Sequence, residues 1–548
     1  LNADWVQIVP NTDIALFLGM AHHVLEQGLE DRAYIEKYTT GADRWIAYVK
    51  GEDDGTAKTP DWAAGITGIP ADKIREMAEL FAKSRTQFGG AWSLQRAHHG
   101  ELTHHAIINF AALIGKIGKP GEGVGFSWHY GSGGMPQSGQ PTPTGLSAGK
   151  NLVDKLCPAS RIVEMLENPG KEFFYNGQTR TYPDIRMIYN AGNNFVSHQQ
   201  DLNRLLKAFG KLHTIVSQDV WWTAAVRWAD IVLPASSTLE RDDISVGGTY
   251  SNDKIYAMKK VIEPQGESMS DYEIFEALAD KMGLWAQFTD SVDYMDHIRA
   301  AYERTGASKT TPFEEFWEKG YALQPAPPEA RKWVRHGAFY EDPEANPLHT
   351  LSGKIEMFCS SIADMNVPDN PGMPVWQEPL EYLGNAKEGQ LHIVSPHPWY
   401  RLHSQMDQSA SLRDLYKVQG REPVRINAED AAARGIALQP ALECGGWVTG
   451  QAALLGSAML LTAVLDGLLR LQATRSDEGR YYWRHLLQCL RHPYVNMLRT
   501  EHPNWEKAVL MAMPKALAEA ESFSASTPFK APGSDERTPK RLALWSKR

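Results

Sequence analysis

Near the start of the chain, apolar positions recur at helical spacing over residues 14–27, just after Asp13, a side chain suited to capping a helix N-terminus. Pro70 and Ala71 open a second predicted helix that runs to about Ser84. Residues 87–92 are a short apolar stretch that fits a strand. Ile107, Phe110, Ala111, Ile114 and Ile117 mark a third, mostly apolar helix, with Gly118 and Pro120 placed to stop it. The clearest pattern covers residues 184–233. There 187–191, 214–217 and 231–233 read as strands, and 202–209 and 223–228 as helices. Strand and helix alternating at this spacing imply parallel strands joined by right-handed crossovers, so the fold class is α/β. A further helix is predicted over 272–282. Prolines multiply and regular patterns thin out over 285–390. A strand over 391–394 and a short helix over 428–434 then place a domain boundary near Glu388. The chain shows no internal repeat.

Length changes this picture first: 548 residues imply about three structural units. Apolar residues make up 43% and charged residues 22%, as in a globular protein able to bury a sizeable ligand. The net charge is −10, with no long Lys/Arg run ahead of the last hundred residues, which argues against nucleic acid as a partner. Residues 441–548 reverse the balance, with 14 Lys/Arg against 10 Asp/Glu. Within them, residues 450–471 are interrupted only by Asp466 and Arg470, a length near that of a membrane helix and equally that of a buried one, so membrane contact of this tail stays open. Helices are expected over 452–471 and 502–520. Cys157, Cys359, Cys444 and Cys489 are too scattered for a local iron–sulfur or zinc site. The first residues, LNADWVQIVPNTD, read as if they begin inside a fold, and sequence upstream is expected.

In parallel sheets, ligands bind beyond the carboxyl ends of the strands, and those ends are polar in this chain. One strand ends in Gly192, Asn193 and Asn194, the next in Gln218 and Asp219. The earlier strand ends in Trp92 and Ser93, with Arg96 one turn on. Asn and Ser suit phosphate or base edges, and Arg suits a bidentate phosphate contact. A carboxylate has acceptors only, so Asp219, Asp13 or Asp271 could take the paired donors of guanine; Asp13 and Asp271 could equally cap the helices they precede. Asp219 is expected to face the ligand space, because Trp221 and Trp222 are poor first-turn residues. Neither a nicotinamide-type G-x-G-x-x-G after a strand nor a P-loop is present. The Gly-, Ser- and Pro-rich loop over 121–149 carries Trp128, His129 and Tyr130, which suit a cleft lining. The histidine pairs at 22/23, 98/99 and 104/105 lack H-E-x-x-H spacing and read as core or hydrogen-bonding residues rather than metal ligands.

Several of these runs carry a family resemblance. They are AWSLQRAHHGE (91–101), ALIGKIGKPGEGVGFSWHY (112–130), PNTD (10–13), ADIVLPASSTLERDD (229–243), YSNDKIYAMKK (250–260), RLHSQ (401–405) and EDAAARGI (429–436). Together they resemble the molybdopterin oxidoreductases of the dimethyl sulfoxide, trimethylamine N-oxide and biotin sulfoxide reductase family, collinearly from Leu1 to Ile436. The resemblance implies Rossmann-like parallel-sheet domains over 1–388, in two interleaved subdomains with one of them at roughly 75–250. The start of a β-barrel-like dinucleotide-binding domain over 389–436 and an atypical helical tail over 437–548 follow. It implies bis(molybdopterin guanine dinucleotide) molybdenum as cofactor, with no iron–sulfur cluster in this chain. It also implies an S-oxide or N-oxide substrate, oxygen-atom transfer, a redox partner such as a c-type cytochrome, and a periplasmic location. Cofactor contacts carried over by matching position are Asn11, Thr12, Asp13, Trp92, Ser93, Arg96, Asn193, Ser197, Gln218, Asp219, Arg241 and Asp271. Those in the C-terminal part are Ser395, Pro396, His397, Pro398, Arg401, His403, Ser404 and Gln405.

The sequence departs from the family where Asn194 replaces the usual proline and Ser197 a usual basic residue, with His198 beside it. No segment supplies the family's molybdenum-ligating serine, and similarity is expected to stop at Ile436. The rival expectations are a noncatalytic remnant that binds a nucleotide or nothing, and a nicotinamide dehydrogenase, which the missing fingerprint disfavours.

Overall fold

The computed structural model describes residues 3–126, 138–146, 150–153, 155–247, 251–395, 400–402, 405–417 and 421–436. It divides into two compact units, one up to Pro396 and a second from His397 onward.

The first lobe is built around α1 (Asp13–Glu26), which buries Ile14, Ala15, Leu18, Met20, Ala21 and Val24. Short helices Arg32–Tyr38, Ala42–Lys50 and Pro60–Thr67 follow. Then come α2 (Ala71–Lys83), β1 (Gln87–Gly90), α3 (Glu101–Leu113) and β2 (Gly123–Phe126). β1 and β2 pair in parallel, with Gln87 opposite Gly123 and Gly90 opposite Phe126. The predicted helices are present with shifted ends. The strand expected over 87–92 stops at Gly90, because Trp92–Arg96 turns into a short 3-10 helix. α3 stops at Leu113 rather than Gly118: Gly115 takes φ +64°, and Ile114 and Ile117 enter the core beyond the helix.

The second lobe is the predicted α/β unit: β3 (Met187–Ala191), α4 (Leu202–Phe209), β4 (Thr214–Asp219), α5 (Ala224–Arg227) and β5 (Ile231–Pro234). The three strands are parallel in the order β3-β4-β5. Leu205, Phe209, Ile215 and Ala225 close its core. α6 (Asp271–Lys281) follows, its N-terminus closed by a reciprocal capping box between Ser270 and Glu273. A small antiparallel sheet joins Asp243–Gly247, Lys254–Met258 and Tyr321–Leu323 over a separate core of Ile255, Tyr302 and Phe316.

Residues 336–376 return to the first lobe and complete it. Thr39 and Thr40 pair in parallel with Ile355 and Glu356. The Trp45 indole N–H donates to the Pro374 carbonyl at 3.2 Å, and Asn109 Nδ2 to the Met357 carbonyl at 2.9 Å. The approach is close at Gly41, where φ is +71° and an added Cβ would lie 2.6 Å from Phe358 Cβ.

The strand expected over 391–394 does not form. Ile393 and Val394 are 87% and 68% exposed, and among the described residues no strand pairs with them. The second unit holds helices Ala410–Tyr416 and Ala428–Ala433, the latter where a helix over 428–434 was predicted. Among the described residues no helix is long and apolar enough to cross a membrane. The predicted tail helices, and Trp128, His129 and Tyr130, lie outside the described residues.

Candidate functional site

At the carboxyl end of the β3-β4-β5 sheet, a polar line crosses from strand to helix. The Tyr189 hydroxyl donates to Gln218 Oε1 at 2.7 Å, and Gln218 Nε2 donates to Asp271 Oδ1 at 2.6 Å. Arg241 Nη1 lies 3.9 Å from Asp271 Oδ2 and donates to the Ser236 carbonyl at 3.1 Å. Glu240 fixes the loop bearing Arg241 by accepting from the Ser237 and Gln265 N–H groups at 2.6 and 2.7 Å. Gln218 is fully buried, so its amide must find both partners inside the protein. Asp271 is the first residue of α6 rather than its cap, which is Ser270. Its negative charge suits the positive helix end, and its side chain stays half exposed. Burial, and then the charge of Asp271, push the Tyr189 phenol upward, so it remains a neutral donor.

Asp219 differs from expectation. Its Oδ1 accepts from the Val220 N–H at 2.7 Å and the Trp221 N–H at 3.4 Å, while Thr223 Oγ1 lies 3.5 Å from Oδ2. The carboxylate therefore ties its own turn, at the carboxyl end of β4. Thr223, in turn, is the N-cap of α5. The physical reason is local: a carboxylate followed by a chain reversal meets the next two N–H groups before anything else. Burial raises its pKa, opposed by those hydrogen bonds, and the nearby Asp271 adds to the rise.

Asn193 is exposed at the end of β3, beside Gly192, where φ is +67° and an added Cβ would meet nothing within 4 Å. Asn194, by contrast, is buried and works as a clamp. Its Oδ1 accepts from the Ala225 N–H at 2.9 Å, and its Nδ2 donates to Ser197 Oγ at 2.9 Å. Ser197 is thus held at the crevice edge by the residue that stands where proline is usual in the resembled family.

A second group gathers at the N-terminus of α1. Asn11 takes φ +67° and donates from Nδ2 to the His98 carbonyl at 3.2 Å. Thr12 is buried, is itself the N-cap residue of α1, and donates to the Val9 carbonyl at 2.6 Å. Asp13, expected as the cap, is the first helical residue, because the buried Thr12 occupies the capping position. Burial raises the Asp13 pKa, with its backbone hydrogen bond pulling the other way. Trp92, Ser93 and Arg96 lie exposed on the 3-10 turn that leads to His98, so the Asn11–His98 bond ties this set to the first. Ser395 is exposed near the end of the first unit. In the second unit Arg401 Nε donates to Glu422 Oε1 at 2.9 Å, and the Gln405 N–H donates to the Leu402 carbonyl at 2.8 Å. Pro396, His397, Pro398, His403 and Ser404 lie outside the described residues. Among the described residues no group of three or more His, Cys, Asp or Glu could hold a metal ion.

Tyr189 and Asn194 carry as much of this geometry as the expected residues; the sequence placed Asn194 at a strand end without showing its clamp, and it passed over Tyr189. The signal for Tyr189 was a hydroxyl on the strand that leads to Gly192 and Asn193.

The model of the molybdopterin oxidoreductase family matches residues 1–281. The chain belongs to that family. This molybdopterin oxidoreductase chain is 48% identical over 452 residues to the dimethyl sulfoxide/trimethylamine N-oxide reductase of Cereibacter sphaeroides, covering 79% of the chain and 55% of the relative. It is 42% identical over 447 residues to the biotin sulfoxide reductase of the same organism, covering 79% and 59%. With the trimethylamine-N-oxide reductase of Vibrio vulnificus it shares 37% identity over 504 residues, covering 88% and 60%. The 79% matched by the two Cereibacter sphaeroides relatives is about the share that residues 1–436 make up, in keeping with the expected stop at Ile436, whereas the 88% matched by the Vibrio vulnificus relative exceeds it. The chain spans about half the length of the curated relatives it matches. Its fold is also similar to acetylene hydratase from Pelobacter acetylenicus, with a TM-score of 0.52 at 20% identity over 78% of this chain and 59% of that one.

Family membership implies a molybdenum–molybdopterin cofactor. The chemistry of the crevice fits its phosphorylated, heterocyclic organic part: Arg241 supplies a cation, Asn193 an exposed amide, and Asp219 and Asp271 acceptors.

Proposed function

We propose that this chain is the cofactor-cradling body of a molybdenum-dependent reductase of S-oxides or N-oxides, of the dimethyl sulfoxide, trimethylamine N-oxide or biotin sulfoxide class. The cofactor in this reading is bis(molybdopterin guanine dinucleotide). The observation that carries the reading is identity of 37–48% to relatives named for reducing those three oxides.

The crevice geometry supports the guanine form. A carboxylate can take adjacent N–H donors of a guanine edge, and a guanidinium suits a phosphate. Asp219 and Asp271 provide the first kind of group and Arg241 the second, at one sheet end. When bound, the cofactor supplies a metal centre able to take up an oxygen atom and exchange two electrons. The chain's own residues bind and orient: Gln218 holds Asp271, with Arg241 3.9 Å from its other oxygen, and Asn194 holds Ser197 at the end of β3. A c-type cytochrome as electron donor and a periplasmic location belong to the same proposal.

Two measurements test it. Purified from a host that makes the cofactor, the chain should release guanine nucleotide on acid treatment. Release of no nucleotide supports the remnant reading, and release of nicotinamide supports a dehydrogenase. A chimera in which this chain replaces the matching residues of the Cereibacter sphaeroides dimethyl sulfoxide/trimethylamine N-oxide reductase should reduce one of the three oxides with a reduced viologen. A chimera that loads cofactor and reduces none of them overturns the substrate class.

A further inference from the structure

We propose that Tyr189 is a positioning residue: its hydroxyl fixes which end of the buried Gln218 amide meets Asp271, and so holds the Asp271 carboxylate with one oxygen free for a ligand donor. The ligand part rests on the nucleotide reading above; the positioning itself does not.

The two ends of a glutamine amide have nearly the same shape, so packing alone does not choose between them, and the hydrogen-bond network must. A carboxylate only accepts, which requires the amide N–H end to face Asp271, as it does at 2.6 Å. The oxygen end then lies inside the protein, because Gln218 is fully buried, and it needs a donor there. The Tyr189 hydroxyl supplies it at 2.7 Å. The reversed amide would set its oxygen against the carboxylate. Tyr189 is itself fixed. It pairs in register with Val216 of β4, and its ring lies 5.6 Å from that of Phe275 on α6.

The other end of the line is fixed as well. The Ser270–Glu273 capping box sets the backbone at Asp271, leaving its side-chain torsions as the remaining freedom. Gln218 holds Oδ1, while Oδ2 faces Arg241 Nη1 at 3.9 Å, beyond hydrogen-bonding reach. Oδ2 is therefore the oxygen left for an incoming N–H or O–H. Without the phenol, Gln218 Oε1 has no donor at this end. The amide then samples other rotamers, and Asp271 loses the contact that keeps it in one orientation. Tyr189 would act entirely through Gln218, never touching the ligand.

The test compares the full chain with Tyr189→Phe, Asp271→Asn and the double variant. Selective glutamine side-chain ¹⁵N labelling reads the Gln218 amide, assigned by its disappearance in Gln218→Glu. Tyr189→Phe should shift or broaden that amide pair while the melting temperature moves little. An unchanged pair overturns the proposal. Guanosine 5′-monophosphate is the ligand probe. Tyr189→Phe should weaken its binding about five- to tenfold, as expected for a hydrogen bond made less well oriented. The double variant should bind as Asp271→Asn does alone, because the two residues act along one line. Losses that multiply, or probe binding unaffected by Tyr189→Phe, overturn the ligand role. If the unaltered chain does not bind the probe, the guanine reading fails, and the Gln218 amide alone decides the positioning claim.

Discussion

Asn11 and His98, 87 positions apart, are joined by a hydrogen bond from the Asn11 side chain to the His98 carbonyl, made with Asn11 in the left-handed region. Asparagine tolerates that region better than most side chains do, and its amide is the donor that reaches the 3-10 turn. Asn11→Ala removes the donor and adds backbone strain, and should cost roughly 1–2 kcal/mol. Asn11→Gly removes the donor alone and should cost less than half as much. Thermal unfolding of both variants checks the order. Equal losses would show that the backbone conformation is not strained.

Asp13 holds its charge at a cost. Burial raises its pKa in the folded chain above the ordinary 3.8, so the folded state binds that proton more tightly than the unfolded state does. The associated stability is complete below the unfolded value and is lost as pH rises through the folded one. Asp13→Asn should therefore raise the melting temperature at pH 7, by roughly 1 °C or more, and change it little at pH 3. A melting temperature that falls at pH 7 would show the carboxylate to be stabilising. The position is one that the family resemblance assigns to the cofactor, where a cost in stability is expected.

Lys58 is buried in a cage formed by the Asp54 carboxylate at 2.8 Å, the Tyr48 carbonyl at 3.3 Å and the Tyr48 ring at 4.1 Å from Nζ. Removing one charge of such a pair is worse than removing the ammonium with its aliphatic stem kept. Asp54→Ala should cost about 1–3 kcal/mol, at the low end because Asp54 is partly exposed, and Lys58→Met less. Burial opposes the Asp54 charge, but Lys58 and the Thr56 N–H outweigh it and hold its pKa below 3.8. The contribution is present above that value and fades as pH falls through the lower folded one. Unfolding of both variants between pH 7 and pH 2.5 reads the order and the window together.

Asp219 has two duties that two substitutions separate. Asp219→Ala removes the acceptor for the Val220 and Trp221 N–H groups and should cost about 1–2 kcal/mol. Asp219→Asn keeps one acceptor oxygen and should cost less, yet it faces guanine donors with a donor of its own. Binding of guanosine 5′-monophosphate should fall in both variants and melting temperature mainly in the first. Normal binding by Asp219→Asn would leave the carboxylate with its turn alone.

The α/β unit was legible because its signals were local. α4 matches the prediction residue for residue, with Asp201 accepting from the Arg204 N–H at its start. The strand-end places of Asn193, Gln218 and Asp219 were legible for the same reason, since periodicity locates the strands that lead to them. What escaped depended on partners distant in sequence. No pattern around Thr39 announces a pairing with Ile355, and among the described residues no strand meets the apolar run 391–394. Tyr189 escaped because its value comes from Gln218 and Asp271, which only the fold brings into line.

The return of residues 336–376 onto the first lobe sets a timetable for biosynthesis. Trp45 waits for Pro374, 329 positions later, before its indole has its partner. At roughly 5–20 residues per second, that interval lasts roughly 15–65 s on the ribosome. For that time the ground that Met357 and Ile355 will cover is open to water and to other nascent chains. The lobe that holds Trp45 is thus completed only when residues 336–376 follow.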